Sequence, residues 1–398
     1  MSSRLSYVWL ATRPGLGALT AARLLRALGS PEAVFAASRE TLTTLEACPM
    51  RKAQVDALCD KDTDAAARII ERCTKNGIQI ITLGDSAYPD RLRAIEDPPV
   101  VLYVRGRWPD FDVTPGIAVV GTRKATPYGL QTAERIGGAL GRAGFITVSG
   151  MALGADGAAH RGALRAGGLT VAVLAGGADV CYPPQHRSLM GDILLSGAIV
   201  SEYPPGTEPR GDHYHARNRI ISGLCVASVI VEAQDYRSGA LITARAALDQ
   251  GRDVYAVPGA LDAPQSAACN ELIEKGEAAL LRSPAALVRT YTGLLPAQSH
   301  PVPPPCPPKE RRPAVSAQRP KISAPRPAPT EKPSAALPDG LTGDERRIAE
   351  LVQEGVGTPE ELIERCGLPA PRVLSLVTLL EMDGVLRREK GRLVPGQK

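Results

Sequence analysis

The chain has 398 residues, of which 44% are hydrophobic and 22% are charged, and its formal net charge is +5. This length allows two or three domains of ordinary globular composition. No apolar run reaches the roughly 18 residues that span a bilayer, and the N-terminus lacks a signal-peptide core, so we expect a cytoplasmic protein with no membrane contact. The eight cysteines include no C-x-x-C pair, which predicts reduced thiols and neither a disulfide framework nor a metal site.

Residues 1–77 are predicted to form a helical domain. Leucines recur at helical spacing through residues 14–29, and Gly29 ends the pattern. Ser30 and Pro31 then have the residue types typical of an N-cap and a first helical position. The P-G-L-G turn at 14–17 resembles a helix-hairpin-helix, whose turn amides bind a DNA phosphate. A bundle that only packs is the alternative, and both interpretations stay open.

Residues 78–299 change to apolar, strand-like runs that alternate with helix-like segments. The runs are 78–83, 100–106, 117–121, 145–150, 169–177, 197–202, 226–233, 253–259 and 278–283. Continuous apolar strands separated by helices indicate a parallel sheet that is covered on both faces. We therefore predict the α/β class, with an extended Rossmann-like, doubly wound, mostly parallel sheet.

The C-terminal part divides into a linker and a small module. Residues 300–336 contain 12 prolines, with seven basic and two acidic side chains giving +5, which predicts a disordered basic linker. Residues 337–398 are predicted to form three helices and a hairpin, the outline of a winged helix. With nine basic and eleven acidic side chains this module carries −2, whereas a duplex reader normally has a basic recognition face. Two roles of this module stay open, an auxiliary contact with DNA and the docking of a protein. The wing cations that could touch a phosphate are Arg387, Arg388, Lys390 and Arg392.

Ligands of open parallel sheets bind at the carboxyl ends of the strands, and four segments there suit anions. The first, GTRKATPYG (121–129), follows a predicted strand and opens a helix. We expect backbone N–H groups and the helix N-terminus to attract a phosphate, with the Arg123 guanidinium as a bidentate partner. The alternative is that the glycine serves only strand–helix packing. The predicted DNA-binding residues here are Gly121, Thr122, Arg123 and Lys124.

The second segment, SGMALGADGAAH (149–160), contributes Ser149, Gly150 and Gly154 to the predicted site. Asp156 and His160 follow in the first turns of a predicted helix. As an enzyme feature they would form an acid–base pair. We favour a structural role for Asp156, as a helix cap or as the residue that orients a neighbouring loop, because no nucleophile or metal partner accompanies the two side chains.

The third segment, HARNRIISGL (215–224), adds Arg217, Asn218 and Arg219. If the backbone is extended there, alternate side chains point the same way and both arginines can reach a ligand. The alternative is a buried ion-pair network with the glutamates that end adjacent strands, Glu202 and Glu232. The two interpretations are open for each arginine separately.

The fourth segment, RSGALITARAALDQG (237–251), adds Ser238 and Gly239 at the start of a helix, either as an anion contact or as a plain N-cap. Several anion sites along one edge suit a polyanion better than a mononucleotide. The chain has neither the P-loop spacing nor G-x-G-x-x-G with a following acidic residue. His213 and His215 lack an evident third ligand, so we expect them at the surface or facing DNA rather than in a zinc site.

These segments resemble the DNA-processing protein A family, also called Smf. The similar stretches, in order, are VGTRKATPYG, SGMALGADGAAHRGAL, LAGGADVCYPPQH, SEYPPGTEP, RNRIISGL, SGALITARAALDQGRDVYAVPG and CNELIEKGE. The resemblance implies an extended Rossmann fold between a sterile-alpha-motif-like helical domain and a winged helix. It further implies a homodimer that is not an enzyme, uses no cofactor, binds single-stranded DNA in natural transformation and helps to load the RecA recombinase.

The chain departs from the family pattern at several positions. Pro184 stands where many members have a basic residue, which puts one cationic contact in doubt, and Tyr214-His215 replaces the usual Phe-Pro. The competing hypothesis is a Rossmann-type nucleotide hydrolase of the lysine-decarboxylase-like group. The P-G-G-x-G-T-x-x-E run of that group is missing here. A transcription factor led by the winged helix is disfavoured by the acidity of that module.

Overall fold

The computed structural model describes residues 2–235, 238–296, 341, 343–368, 370–383, 385–389 and 392–395. The chain forms two compact units, Met1–Pro304 and Pro305–Lys398, and each is described by itself. The predicted linker at 300–336 and the wing residue Lys390 lie outside the described residues.

Six helices open the first unit, as predicted for residues 1–77. They are α1 (Ser3–Ala11), α2 (Ala18–Leu28), α3 (Pro31–Ala36), α4 (Arg39–Thr44), α5 (Lys52–Cys59) and α6 (Asp64–Lys75). Gly29 ends α2 with a φ of 88°, which an L side chain rarely adopts. The Ser30 hydroxyl accepts a hydrogen bond from the Ala33 amide and caps α3. The local start and stop signals were therefore interpreted correctly.

Nine strands form the single sheet of this unit. They are β1 (Gln79–Thr82), β2 (Val101–Gly106), β3 (Gly116–Val120), β4 (Ile146–Ser149), β5 (Thr170–Leu174), β6 (Ala198–Ser201), β7 (Cys225–Ile230), β8 (Asp253–Ala256) and β9 (Ala279–Leu280). Their order in the sheet is β1-β2-β6-β5-β4-β3-β7-β8-β9. The seven strands from β6 to β9 are parallel, and β2 and β1 extend the sheet antiparallel. This is the extended, mostly parallel Rossmann-like sheet that the sequence predicted.

Eight helices follow or connect these strands. They are α7 (Asp90–Arg93), α8 (Pro127–Ala143), α9 (Ala155–Arg165), α10 (Arg187–Ser196), α11 (Gly211–Gly223), α12 (Gly239–Asp249), α13 (Ala267–Glu274) and α14 (Pro284–Tyr291). After β3 the chain builds the sheet outward through β4, β5 and β6, and then returns to place β7 on the other side of β3. The topological switch point of this doubly wound sheet therefore lies between β3 and β7.

Alternate residues of the central strands enter different cores. Ile117 and Val119 of β3 pack under α8 and α9, whereas Ala118 and Val120 pack on the opposite face of the sheet. This alternation follows from the two-residue repeat of a strand. The N-terminal helices share a third core with the sheet, where Trp9 lies in the same cluster as Tyr103. The helical segment and the sheet thus belong to one compact unit.

The second unit has the three helices and the hairpin expected of a winged helix. They are α15 (Gly343–Gln353), α16 (Pro359–Cys366), α17 (Ala370–Met382), β10 (Leu386–Glu389) and β11 (Arg392–Pro395). Thr358 caps α16 by accepting from the Glu361 amide, and Gly367 ends that helix in the left-handed region. Ile348, Leu362 and Leu386 pack in its separate core.

Two findings concern the predictions made from the apolar runs and from the cysteines. Among the described residues, no helix combines the length and the apolar character needed to cross a membrane. Seven of the eight cysteines are free thiols in the part of the chain that the structure covers, and Cys306 lies outside it.

Candidate nucleic-acid interface

A cavity of about 460 Å³ opens at the switch point between β3 and β7. Its walls come from the loop that follows β3, from the start of α9, from one face of α11 and from the first turns of α12. Four basic side chains and one carboxylate are among its lining residues, namely Arg123, Lys124, His215, Arg217 and Asp156. The cavity therefore lies where doubly wound sheets bind ligands, and cationic groups predominate in it.

The loop after β3 is held close to its neighbours by Gly121. A Cβ atom there would lie 2.7 Å from the Ala155 Cβ and 3.3 Å from the backbone nitrogen of Glu232. The Thr122 amide donates to the Glu232 carbonyl oxygen at 2.8 Å, so this amide is already engaged within the protein. Arg123 and Lys124 follow as exposed side chains. A ligand thus meets the two cations of this loop rather than the Thr122 amide.

The N-terminus of α8 is occupied by a carboxylate of the chain itself. Glu232 is 1% exposed, and its two carboxylate oxygens accept from the Thr126 amide at 2.9 Å and from the Thr126 hydroxyl at 2.5 Å. Gly129 is required beside it, because a Cβ there would lie 2.2 Å from a Glu232 oxygen. The prediction that this helix N-terminus receives a ligand phosphate is therefore wrong, since Glu232 supplies the anion.

Asp156 holds the second loop, as its structural interpretation predicted. Its carboxylate accepts from the Gly150 amide at 3.1 Å and from the Ala152 amide at 3.4 Å. Burial raises the pKa of Asp156, and the Arg217 charge and the loop amides act against that rise. Asp156 therefore orients the 149–154 loop and closes it against the β3 loop.

The predicted residues of this loop face different surroundings. The buried Ser149 hydroxyl donates to the Val119 carbonyl oxygen at 2.6 Å, so it is directed into the sheet. Gly154 has a φ of 79°, and a Cβ there would lie 2.3 Å from the Thr122 carbonyl oxygen. Gly150 borders a smaller crevice beside the main cavity. These positions shape the loop, and none of the three lines the main cavity.

Arg217 is a buried cation that lines the cavity. It is 5% exposed, and its guanidinium donates to the carbonyl oxygens of Gly150 and Val173 and to the Asn218 side-chain oxygen. Burial lowers its pKa, and the Asp156 carboxylate opposes that effect. A Cβ on Gly150 would lie 2.2 Å from an Arg217 nitrogen, so the glycine makes room for the guanidinium. Arg217 thus fixes a positive charge at the cavity wall.

Arg219 lies elsewhere because residues 215–223 are helical in α11, not extended. Two residues along a helix point about 200° apart, so Arg217 and Arg219 cannot face the same way. Arg219 makes ion pairs with Asp97 at 2.9 Å and with Glu202 at 2.8 Å. Burial acts against its charge, but the Glu202 and Asp97 carboxylates raise its pKa. Arg219 is absent from the cavity lining. The ion-pair alternative is confirmed for Glu202, whereas Asp97 and not Glu232 is the second partner.

The fourth segment does reach the cavity, where Ser238 and Gly239 line it at the start of α12. The Asn218 side-chain amide donates to the Gly239 carbonyl oxygen at 3.0 Å and ties α11 to α12. The Ser238 side chain makes no capping hydrogen bond to the helix. Ser238 and Gly239 thus bring the start of α12 into the cavity lining.

An arginine–aromatic stack completes the wall. The Arg123 guanidinium lies 4.9 Å from the Tyr214 ring centroid, and the Arg217 guanidinium lies 6.0 Å from it. Distances of this size are typical of cation–π attraction. Burial, followed by the neighbouring Tyr182, raises the pKa of Tyr214. Tyr214 thus positions the exposed Arg123 next to the buried Arg217.

The two histidines of this region have separate surroundings. The His213 ring nitrogen Nδ1 lies 3.0 Å from the Ala175 carbonyl oxygen, and its ring stacks on Tyr203 with centroids 3.9 Å apart. His215 is exposed and lines the cavity. Among the described residues, no group of three or more His, Cys, Asp or Glu side chains is placed to hold a metal.

Sequence reasoning missed three contributors to the site. Glu232 was considered an arginine partner, Tyr182 was considered only within a family motif, and Thr243 was not considered although it lines the cavity. The position of Glu232 just after an apolar strand was the available signal. Nothing local predicts that Tyr182 approaches Tyr214, since 32 residues separate them in the sequence.

Fold and site together define a Rossmann-like protein with a cavity lined by basic side chains at the switch point of its sheet and a winged-helix unit later in the chain. The family model described as DNA recombination-mediator protein A matches residues 79–292, and the one described as DprA winged helix domain matches residues 331–392. The chain belongs to the DprA/Smf family.

Individual relatives agree with this assignment. Protein Smf of Synechocystis is 34% identical over 327 residues, which cover 81% of this chain and 81% of that protein. The structure of DNA processing protein A from Streptococcus pneumoniae covers 73% of this chain and 98% of its own, with 30% identity and a TM-score of 0.63. A structure of DNA processing protein A from Helicobacter pylori, titled for its single-stranded DNA binding mode, covers 54% of this chain and 96% of its own with 31% identity and a TM-score of 0.48.

Proposed function

We propose that the chain binds single-stranded DNA along the carboxyl edge of its sheet without breaking a bond in it. The observation that carries this proposal is the cavity at the switch point, where two separate segments bring Arg123, Lys124 and Arg217 together. One guanidinium group can donate two parallel hydrogen bonds to two oxygens of the same phosphate. The same cavity receives the N-terminus of α12, a further attraction for an anion.

The combination of one buried cation with two exposed ones suits a polymer. Three acceptors within the protein hold the Arg217 guanidinium in place. Its positive charge therefore stays at one position and does not move to close around a ligand. Arg123 and Lys124 are exposed and can follow a strand along the rim. Phosphate contacts have no base code, so binding will tolerate any sequence and weaken strongly with salt.

The arrangement of titratable groups supports binding rather than catalysis. The Asp156 carboxylate already accepts hydrogen bonds from amides of its own loop. His160 is buried, its Nδ1 contacts the Thr170 hydroxyl at 2.7 Å, and it is absent from the cavity lining. His160 is therefore not placed to move a proton to or from a ligand in this cavity, and Asp156, which lines the cavity, is engaged by the amides of its own loop.

The family description, a mediator of DNA recombination, suggests the wider role. In that role the chain protects incoming single strands during natural transformation, acts in the cytoplasm as a homodimer and helps the RecA recombinase to assemble. A dimer would present two binding edges on one body and raise affinity through effective concentration. Sedimentation velocity at micromolar protein tests the dimer. ATP hydrolysis by RecA on strands coated with single-stranded DNA-binding protein, with and without this chain, tests recombinase loading.

The central experiment is filter binding of single-stranded and double-stranded oligonucleotides across a salt series. We expect Arg123→Ala to weaken single-strand binding by about 1.5–3 kcal/mol, the contribution of a hydrogen bond to a charged group. The slope of log affinity against log salt should fall by about 0.7 for each lost phosphate contact on a single strand.

Arg135→Ala is the matched control, because Arg135 is an equally exposed arginine on α8 that lies outside the cavity lining. This variant should bind like the wild type. Equal affinities of Arg123→Ala and the wild type would remove Arg123 from the site. Tighter binding of the duplex than of the single strand would contradict the proposed function.

A further inference from the structure

A groove of about 1160 Å³ lies between helices α8 and α14, and the end of α9 forms its third wall. Its lining residues fall within 130–143 on α8, 162–166 at the end of α9 and 283–289 at α14, and we call it the α8–α14 groove. Among the described residues, none lines both this groove and the cationic cavity. The groove exceeds the roughly 300–1000 Å³ of most small-molecule sites, so it suits a segment of a macromolecule.

The groove is strongly basic. Four arginines and one glutamate line it, namely Arg135, Arg142, Arg165, Arg289 and Glu134, which together carry +3. Arg165 makes an ion pair with Glu134. The other three arginines are exposed, and in the part of the chain that the structure describes none of their guanidinium groups has an ion-pair or hydrogen-bond partner. Three cations are therefore available to an external acceptor.

Helix ends explain only part of this cluster. Arg142, Arg165 and Arg289 lie in the last turns of α8, α9 and α14, where a cation is favoured by the helix dipole. Arg135 lies in the middle of α8, so the dipole gives no reason for it. A Cβ on Gly138 would lie 3.3 Å from an Arg142 nitrogen, which places the Arg142 guanidinium over the floor of the groove.

Apolar side chains line the groove between the arginines. They are Leu130, Ala139, Ala143, Pro284 and Val288. A nucleic-acid backbone supplies negative charge but has no apolar side chains to fill such a floor. A peptide that is apolar on one face and acidic at its flanks matches both the floor and the walls. The chemistry of the groove therefore favours an acidic protein segment over DNA.

The spacing of the arginines indicates the form of that segment. Arg135 and Arg142 are seven residues apart on α8, which is two turns and about 10 Å along the helix axis. Carboxylates seven residues apart on a second helix have the same spacing, and helices that bind in grooves use anchors at this repeat. Ile136 and Leu140 pack in the core, so the groove uses a different face of α8.

We propose that the α8–α14 groove binds an acidic amphipathic helix of a partner protein. The apolar face of that helix fills the floor, and its carboxylates pair with Arg135, Arg142 and Arg289. This inference goes beyond the proposed function, because it adds a protein partner at a surface that DNA does not use.

The probe for the test is a fluorescein-labelled peptide of about 15 residues, long enough to form helix. It is made of glutamate, leucine and alanine, with the leucines on one helical face and the glutamates at its flanks. Fluorescence anisotropy with the full-length protein measures its dissociation constant. A peptide of the same composition in scrambled order should bind at least about tenfold more weakly, and one with lysine in place of glutamate should not bind. Lack of saturable binding of the ordered acidic peptide up to about 1 mM would overturn the proposal.

Three variants locate the site. Arg135→Ala, Arg142→Ala and Arg289→Ala should each weaken binding of the acidic peptide about two- to fivefold, the contribution of one exposed ion pair. Arg68→Ala is the matched control, because Arg68 is an exposed helical arginine on α6 outside the groove. An equal effect of the control would show that the peptide responds only to overall charge, and the proposal would fail.

Two further measurements separate this groove from the DNA site. A saturating all-thymidine strand should leave the affinity for the peptide within about twofold. A peptide with benzoylphenylalanine in place of one leucine should, on irradiation, crosslink to α8 or α14. Displacement of the peptide by the strand would place it in the cationic cavity and overturn the proposal.

A combined variant with all three alanine substitutions should retain single-strand affinity and the wild-type sedimentation coefficient. Retained DNA binding also shows that the variant is folded. Weaker single-strand binding would make the groove a DNA surface, and a changed sedimentation coefficient would make it an interface between two copies of this chain. Either result would overturn the acidic helix as the ligand of the groove.

Discussion

Two buried carboxylates, Asp156 and Glu232, already satisfy amides and a helix start that would otherwise attract an anion. Asp156 closes the 149–154 loop through the Gly150 and Ala152 amides, and Glu232 closes the start of α8 through Thr126. Internal anions at these positions hold both loops in place before any ligand arrives. The positive charge of the cavity therefore comes from guanidinium and ammonium groups and from the start of α12.

His160 is a buried histidine with one ring nitrogen satisfied. Its Nδ1 contacts the Thr170 hydroxyl, which itself donates to the Thr147 carbonyl oxygen at 2.8 Å. Nδ1 must therefore donate, and Nε2 is a bare acceptor that has no partner among the described residues. Burial, with the nearby His186 next, lowers the pKa of His160 to about 3. The ring is neutral in the folded protein.

This neutral histidine should make stability depend on pH. Below about pH 6.5 the unfolded chain binds a proton at residue 160 and the folded chain does not, so stability falls as pH falls towards about 3. Over that window the wild type should lose about 1.4 kcal/mol of unfolding free energy per pH unit more than His160→Gln does. Urea unfolding followed by fluorescence of Trp9 and Trp108 measures this.

The exposed His215 provides the control for that titration. His215→Gln should keep the wild-type dependence on pH, because His215 is exposed and takes no part in the buried contact of His160 with Thr170. A wild-type slope unchanged by His160→Gln would show that other groups set the acid sensitivity.

At the scale of elements, helix α11 decides which arginine serves the site. Its sequence places Ile220, Ile221 and Leu224 against the sheet core, and the helical repeat then sends Arg217 and Arg219 to different sides. Arg217 reaches the cavity wall and Arg219 reaches Asp97 and Glu202. The pattern R-N-R alone could not separate the two roles, because the separation depends on helical rather than extended backbone.

Helices α8 and α9 begin directly after the 121–126 and 149–154 loops. The close contact between the two helices therefore sets the distance between the two loops. A Cβ on Gly137 of α8 would come within 2.1 Å of the Ala159 carbonyl oxygen of α9. Gly137→Ala must push the helices apart, and we expect a loss of about 1–3 kcal/mol in unfolding free energy together with weaker DNA binding. Chemical denaturation and filter binding measure the two effects.

Gly191→Ala is the matched control for this contact. Gly191 also lies within a helix, α10, but a Cβ there would meet nothing within 4 Å. Because alanine favours a helix over glycine, this change should raise stability by about 0.5–1 kcal/mol. Stabilisation by Gly137→Ala as well would show that the two helices yield freely.

At the scale of the whole molecule, every residue that lines the cavity and the crevice belongs to the first compact unit. A protein that ends at Ser299 should therefore keep single-strand affinity within about threefold. Filter binding of this shortened protein against the full chain measures the effect.

The control introduces Arg123→Ala into both lengths. Because every residue that lines the cavity with Arg123 belongs to the first unit, the substitution should weaken binding by the same factor in each. A loss of more than about tenfold on shortening would place part of the DNA site beyond Ser299, in the basic residues 300–336 or in the winged helix.

The sequence by itself determined the elements and their order. The signals that it used are local. They are apolar runs of strand length, the helical leucine spacing of residues 14–29, the helix end at Gly29 and the N-cap at Ser30. They predicted the helical start, the parallel sheet, the winged helix and the edge of the sheet at which the cavity opens. Arg123 and Lys124 also followed from the sequence, since a loop after a central strand leads to that edge.

The tertiary structure alone decided which polar groups meet a ligand and which meet each other. Thr126 and Glu232 are separated by 106 residues, and Arg219 and Asp97 by 122, so no spacing rule links them. A buried charge must find a partner wherever the fold brings one. Glu232 therefore contacts the start of α8, and Arg219 pairs with Asp97 and Glu202. Tyr182 lies beside Tyr214. The packing of distant segments sets these distances, and the local sequence pattern does not.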